Sequence, residues 1–257
     1  MAGVEQNRDR YARTFDVLEL LAGHPEGLTV TEIATRLELP VSSSHNLLGR
    51  MAASEVVSVS DGPRYSLGPR AVRLGIRIAD GLEVRALARR HLQDLARTTG
   101  EDVYLAMRLG RRITYVERVA GSRPVTVEIR LGQDLYLHAT AVGKLFAAAD
   151  DGLRRRLWSR ERPRLTEHTL VGTEELTAEL DAIREAGVAV SREEAIIGVV
   201  GIAVGVHDAH GELVAAVHVS ALRPALPPDA ETSLTTAARG CAVAIERDLG
   251  RSHPVTR

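Results

Sequence analysis

Two groups of polar side chains in this chain have types and spacing that could do chemistry. The first is the run Ser42-Ser43-Ser44-His45-Asn46, with Arg50 one helical turn further on. Short hydroxyls, an amide, an imidazole and a guanidinium at that spacing suit the base edges and phosphates of a DNA major groove. The second group is the polar end of an apolar strand, His218 and Ser220, together with Ser191 and Thr140. Those groups offer hydrogen bonds to a small molecule. Nothing argues for catalysis: the sequence has no Gly-x-Ser-x-Gly elbow, phosphate loop or metal signature. His207, Asp208, His210 and His218 look like metal ligands at a glance. However, His218 lies about 20 Å along an extended chain from the turn, at ~3.3 Å per residue, and His207 with His210 does not complete a structural site. Cys241 sits in AARGCAVAIE among small apolar residues and reads as a buried thiol. No catalytic residue, metal or cofactor is expected.

The first group needs a scaffold, and its neighbours supply one. LTVTEIATRLELPVSSSHNLLGRMAASEVVSVSDGPRYSL, from Leu28 to Leu67, reads as helix, turn, helix and β-hairpin. Thr29 or Thr31 can cap the first helix, and Glu32 suits the positive end of its dipole. Ile33, Ala34 and Leu37 form its apolar face. Pro40 ends the turn, because it lacks the N–H that would continue a helix. The three serines open the second helix, with Leu47, Leu48 and Met51 as its buried stripe and Ser43, His45, Asn46 and Arg50 facing outward. Val56, Val57 and Val59, the turn Asp61-Gly62-Pro63 and the return strand Arg64–Leu67 make a wing. Upstream, Phe15, Leu18 and Leu21 supply a supporting helix, ended by Gly23-His24-Pro25. The candidate DNA contacts are Thr31, Ser42, Ser43, Ser44, His45, Asn46 and Arg50, with Arg64 of the wing on phosphate.

Composition bounds the rest. The chain has 257 residues, one cysteine and a net charge of −1, and its length predicts about two domains. It has no apolar run near the ~18 residues a membrane span needs and begins on a polar stretch, so no secretion signal or membrane association is expected. A lone cysteine excludes an intramolecular disulfide framework and fits a reducing cytoplasm. Lys144 is the only lysine among 33 basic residues. Residues 1–68 carry six arginines against nine acids, and residues 69–100 seven arginines against three. Any DNA contact therefore rests on a few placed groups and not on a broad basic patch.

Past Gly68-Pro69, RAVRLGIRIAD (70–80) is an amphipathic connecting helix. It is followed by a long helix over 83–99. Strands are expected at 102–109, 113–120, 125–130, 188–190, 199–206 and 213–220, and helices at 140–149, through 157, at 174–186 and from Pro227-Pro228 to 249. Hairpin-joined strands with flanking helices argue an α+β domain with an antiparallel sheet. Strand parity puts Leu213, Ala215, Val217 and Val219 on one face and Val214, Ala216, His218 and Ser220 on the other. A four-residue turn at 208–211 sets His207 opposite Glu212 and His218 opposite Gly201. On these residues alone, His218 is either a satisfied core histidine or part of a pocket floor. Thr140 is placed to cap its helix, leaving the amides of Ala141, Val142 and Gly143 as anion donors.

Four stretches carry a family resemblance over about residues 10–249: TEIATRLELPVSSSHNLLGRM, LYLHATAVGKLFAA, GVAVSREEAIIGVVGIAV and GELVAAVHVSALRPAL. Together they resemble the IclR family of bacterial transcription regulators. The resemblance implies a winged helix-turn-helix domain (1–68), a linker helix (69–82) and a profilin- or GAF-like effector domain (83–257). It also implies dimers or tetramers on double-stranded operator DNA. Its ligand contacts map onto Ala141, Val142, Ser191, Gly201, His218 and Ser220. Many members carry cysteine where Gly201 stands and serine where His218 stands, and basic residues are frequent where Val41 and Asn46 stand, so operator and effector are not transferable. The expected function is a ligand-responsive repressor of a catabolic operon that binds an inverted repeat and is modulated by a small carboxylate. The alternative is an enzyme acting on a small acid through the C-terminal domain.

Overall fold

The computed structural model describes residues 2–252 apart from Asp61 and Pro228. Asp61 of the wing turn and Pro228 before the last helix thus lie outside the described residues. The chain divides into two compact units, Met1–Gly81 and Leu82–Arg257.

In the first unit, helix α1 (Ala2–Ala22) precedes strand β1 (Leu28–Thr29), helices α2 (Val30–Arg36) and α3 (Val41–Ala53), and strands β2 (Val57–Val59) and β3 (Arg64–Leu67). The three strands form one antiparallel sheet, with β3 between β1 and β2. Thr29, not Thr31, caps α2. Its hydroxyl accepts from the Glu32 amide, and the Glu32 carboxylate accepts from the Thr29 amide at 2.8 Å, a reciprocal capping box. Val17, Leu21, Leu28, Ile33, Leu48, Met51 and Val57 build the core. Phe15, expected inside, is 65% exposed; Val17 fills that role instead. Helix α4 (Pro69–Asp80) ends the unit, with Val72, Leu74, Ile76 and Ile78 all exposed.

The second unit opens with helix α5 (Glu83–Thr99) and strands β4 (Asp102–Leu109) and β5 (Arg112–Val119). Helices α6 (Ala141–Ala149), α7 (Asp151–Trp158) and α8 (Thr173–Ala186) follow. Strands β6 (Val188–Arg192), β7 (Val199–His207) and β8 (Leu213–Leu222) and helix α9 (Ala230–Ser252) complete it. The five strands lie in the order β5-β4-β8-β7-β6, all antiparallel. The expected strand at 125–130 does not form; that segment is irregular. Helices α5 and α9 cover one face of the sheet through Leu92, Leu95, Ala238 and Ile245, packed on Val103, Leu105, Val217 and Val219. Helices α6, α7 and α8 cover the other, through Val142, Phe146, Leu153, Leu176 and Leu180 on Tyr104, Tyr115, Ala203 and Ala216.

The register of the last hairpin corrects the sequence-based one by two residues. The turn sets His207 opposite Leu213, one residue beyond the expected Glu212, and a bulge between Val206 and His207 adds a second, so that His218 pairs with Ala203 while Gly201 pairs with Ser220. The same irregularity reverses parity at the strand start. Leu213 packs on the α6 side and Val214 on the α9 side, whereas from Ala215 onward the expected alternation holds.

Candidate functional site

The candidate nucleic-acid interface is the outer face of α3. Ser42, Ser43, His45, Asn46 and Arg50 are exposed there, and so is Thr31 on α2. Glu38 takes the left-handed conformation in the turn between the two helices (φ 52°), and the Leu39 amide returns to the Ala34 carbonyl at 2.9 Å. Ser44 does not belong to this face. It is 1% exposed, and its Oγ has no partner among the described residues. Residues 44, 48 and 51 follow the helical repeat, so Ser44 shares the inward stripe of Leu48 and Met51. Arg64, expected on phosphate, donates from Nη1 to the Gly27 carbonyl at 2.8 Å and lies 3.7 Å from Glu32. That holds the base of the wing to the entry of α2.

The candidate ligand site is a small cleft of about 40 Å³ where the N-terminus of α6 meets the sheet. Thr140, Ala141, Ser191, Gly201 and His218 of the expected set line it. Val142, Gly143 and Ser220 do not; they are buried beside it. Five residues that sequence reasoning missed complete the wall: Tyr115 from β5, Ile129 from the irregular segment, and Ala195, Ile196 and Val199 before and at the entry to β7. No local signal marks them, because strand order rather than chain proximity brings them together.

His218 is the polar centre of the cleft. It is 3% exposed, and its Nδ1 lies 3.0 Å from the Tyr115 hydroxyl, the two rings stacked 5.2 Å apart. Burial pushes its pKa down to about 3, so the imidazole is neutral at physiological pH. Burial also raises the Tyr115 pKa, keeping its hydroxyl protonated. When Tyr115 donates to Nδ1, the single imidazole proton sits on Nε2. Among the described residues Nε2 has no partner. It lies beside Gly201: a Cβ built there would stand 2.7 Å from it. The glycine thus leaves the ring edge uncovered.

The α6 terminus is more constrained than expected. Thr140 Oγ1 accepts from the Gly143 amide at 2.9 Å and donates to the Tyr136 carbonyl at 2.8 Å. The Gly143 amide is therefore not an anion donor, and only those of Ala141 and Val142 are unpartnered among the described residues. Gly143 is required for close approach, since a Cβ there would lie 2.2 Å from the Tyr136 carbonyl. Ser191 donates to the Ala139 carbonyl at 2.8 Å, so toward a ligand it can only accept.

Behind the cleft Lys144 is fully buried. Its ammonium meets Glu194 at 2.7 Å, the Val190 carbonyl at 2.8 Å and Glu179 at 2.9 Å. Burial raises the Glu194 pKa against the pull of Lys144. This node ties α6 to the segment that carries Ile196 over the cleft. The histidines near the last turn do not converge: His207 pairs with Glu246 at 3.0 Å, far from the Tyr115 partner of His218. The Cys241 thiol is pushed up to about 12 by burial, which makes it a poor nucleophile.

Among the described residues no helix is long and apolar enough to cross a membrane. Residues 12–58 match the IclR helix-turn-helix domain, and residues 76–247 match the model described as bacterial transcriptional regulator IclR C-terminal. The chain is 33% identical over 248 residues to the glycerol operon regulatory protein of Streptomyces griseus, covering 95% of this chain and 98% of that one. Among solved structures it is similar to an IclR transcriptional regulator from Alicyclobacillus acidocaldarius, with TM-score 0.83 and 27% identity over 93% and 98% of the two chains. An IclR homologue from Microbacterium hydrocarbonoxydans, solved with 4-hydroxybenzoate, shares the fold at TM-score 0.84 and 24% identity over 94% and 99%. The matched families and these relatives are regulators or their homologues, which leaves the enzyme alternative without support. A winged recognition helix on one unit, a small, partly polar cleft on the other and family matches across both place the chain in one group: it belongs to the IclR family of bacterial transcriptional regulators.

Proposed function

We propose that this protein is a cytoplasmic, effector-responsive repressor of a catabolic operon. A homodimer, alone or paired into a tetramer, binds an inverted repeat through α3, because two-fold protein symmetry imposes two-fold operator symmetry. Ser43, His45, Asn46 and Arg50 read or position the duplex. The exposed apolar residues of α4 fit the dimer contact, and the name of the glycerol operon relative supports a catabolic target.

The effector is a small carboxylate. The observation that carries this is the unpartnered Nε2 of a neutral His218, which bears the ring proton when Tyr115 donates to Nδ1 and which Gly201 leaves uncovered. With the Ala141 amide at the positive end of α6, it offers two convergent donors and no formal charge. The remaining wall is largely apolar, which favours an aromatic or branched acid over a two-carbon one. The test is calorimetric titration with a panel of acids, 4-hydroxybenzoate and short ureido acids among them, beside neutral isosteres. The bound acid loses about 1–3 kcal/mol on His218→Ala, because its oxygen is left buried and unpaired, while operator affinity is kept. Binding of neutral or cationic compounds alone would reject the carboxylate.

A further inference from the structure

A second cleft, of about 330 Å³, lies between residues 134–138 and α7 and is walled by Leu135, Tyr136, His138, Arg156 and Arg160. Elsewhere on this unit many arginines are matched by carboxylates: Arg85 by Glu117, Arg118 by Asp102, Arg123 by Glu101, Arg154 by Asp181 and Arg184 by Asp151. Arg156 is not. Its Nε is wholly buried and has no hydrogen-bond partner among the described residues, where its guanidinium also makes no ion pair. Burial acts most strongly against its charge, and Arg160, Arg111 and Arg112 act electrostatically in the same direction. The opposing carboxylate is Asp134, which is engaged by Arg112 at 3.0 Å. Glu161 in the wall is exposed, and His138 adds no negative charge, its imidazole facing the Pro163 carbonyl.

A buried guanidinium N–H without an acceptor is costly, and three further like charges compound it. A guanidinium fork matches the paired oxygens of phosphate and carboxylate groups. We propose that this cleft is a second ligand site, for a small oxyanion bearing two or more negative charges, held by Arg156 and Arg160. The site bears on the first cleft through the chain itself. Tyr136 in its wall accepts hydrogen bonds from both the amide and the hydroxyl of Thr140, the cap of α6. If the first cleft holds the effector, as proposed above, the two ligands modulate each other's affinity reciprocally.

The experiment is calorimetric titration of the full-length protein with pyrophosphate and, separately, citrate, at fixed ionic strength in an amine buffer. One saturable site per chain is expected for at least one of them, and which anion binds distinguishes a phosphate from a polycarboxylate ligand. Arg156→Gln weakens it at least tenfold and Arg160→Gln several-fold, while His218→Ala in the other cleft leaves it intact. Without added anion, Arg156→Gln melts no lower than the parent, because it removes an unmatched charge. Pyrophosphate or citrate then raises the melting temperature of the parent but not of the variant. The proposal fails if neither anion saturates, if Arg156→Gln binds as the parent does, or if that variant melts lower in anion-free buffer. It fails equally if Arg156→Gln loses affinity only for a duplex lacking operator.

Discussion

Replacing Lys144 with methionine tests whether a buried ion pair fastens the candidate ligand cleft. Methionine keeps the apolar stem and removes the ammonium, so the change isolates charge from volume. In the parent that ammonium contacts Glu194 at 2.7 Å and Glu179 at 2.9 Å, with Lys144 fully buried and the Glu194 side chain 8% exposed. Removing one partner of such a pair leaves an unmatched buried carboxylate and costs about 3–5 kcal/mol. Glu179 is a third exposed and adds little to that figure. The cost depends on pH with a definite sign. Burial already raises the Glu194 pKa above its ordinary 4.5 in the parent. Its contribution to stability is therefore fullest below that value and declines as pH rises toward the folded-state pKa. Without Lys144 the folded-state pKa climbs further, so the deficit of Lys144→Met widens from pH 5 to pH 8. Urea unfolding followed by circular dichroism at those two pH values measures it. Adding Glu194→Gln to Lys144→Met should recover at least about 1.5 kcal/mol at pH 8, a coupling typical of contacting groups. A Lys144→Met variant as stable as the parent at pH 8, or one whose deficit shrinks as pH rises, would refute the argument.

Ser44→Ala removes a buried hydroxyl that has no partner, so stability stays level or rises by up to about 1 kcal/mol and operator affinity is unchanged in a gel-shift titration; a tenfold loss of DNA binding would return Ser44 to the interface. Gly201→Ala places a methyl carbon 2.7 Å from His218 Nε2, forcing a ring already held by Tyr115 to move. About 1–3 kcal/mol of stability should go with it, as for overpacking elsewhere, and carboxylate binding should weaken at least tenfold by calorimetry. Gly143→Ala cannot keep the α6 start as it is, because its Cβ would lie 2.2 Å from the Tyr136 carbonyl; a melting temperature within one degree of the parent would contradict that geometry.

Much of this arrangement is legible in the sequence because it is local. Thr140 caps α6 through its own third-residue amide, and helix and strand limits such as 102–109 and 141–149 follow from caps, turns and periodicity. The alternation of Ala215 to Ser220 holds because a strand cannot present both faces to one layer. What failed was set by neighbours distant in sequence. The turn and the bulge before His207 together shift the hairpin by two, which keeps the residues from Ala215 onward on their faces but changes their partners. Residues 125–130 have strand-like composition yet find no strand edge; Ile129 instead joins the cleft wall and donates its amide to the Tyr104 hydroxyl. Ser44 is polar by type but inward by position, and its four-residue spacing from Leu48 is the signal that places it inside. Lys144 gave no local hint of burial, since both its carboxylate partners lie more than thirty residues away.

Operator recognition by α3 is the step on which the proposed function most directly depends. Selection of binding sites from a pool of randomised duplexes, with the full-length protein and with Arg50→Ala, measures it. The account predicts enrichment of an inverted repeat whose half-sites lie one helical turn or a multiple apart, with Arg50→Ala weaker on that site by more than about 1 kcal/mol. No enriched sequence, or a single asymmetric site bound equally well by Arg50→Ala, would contradict it.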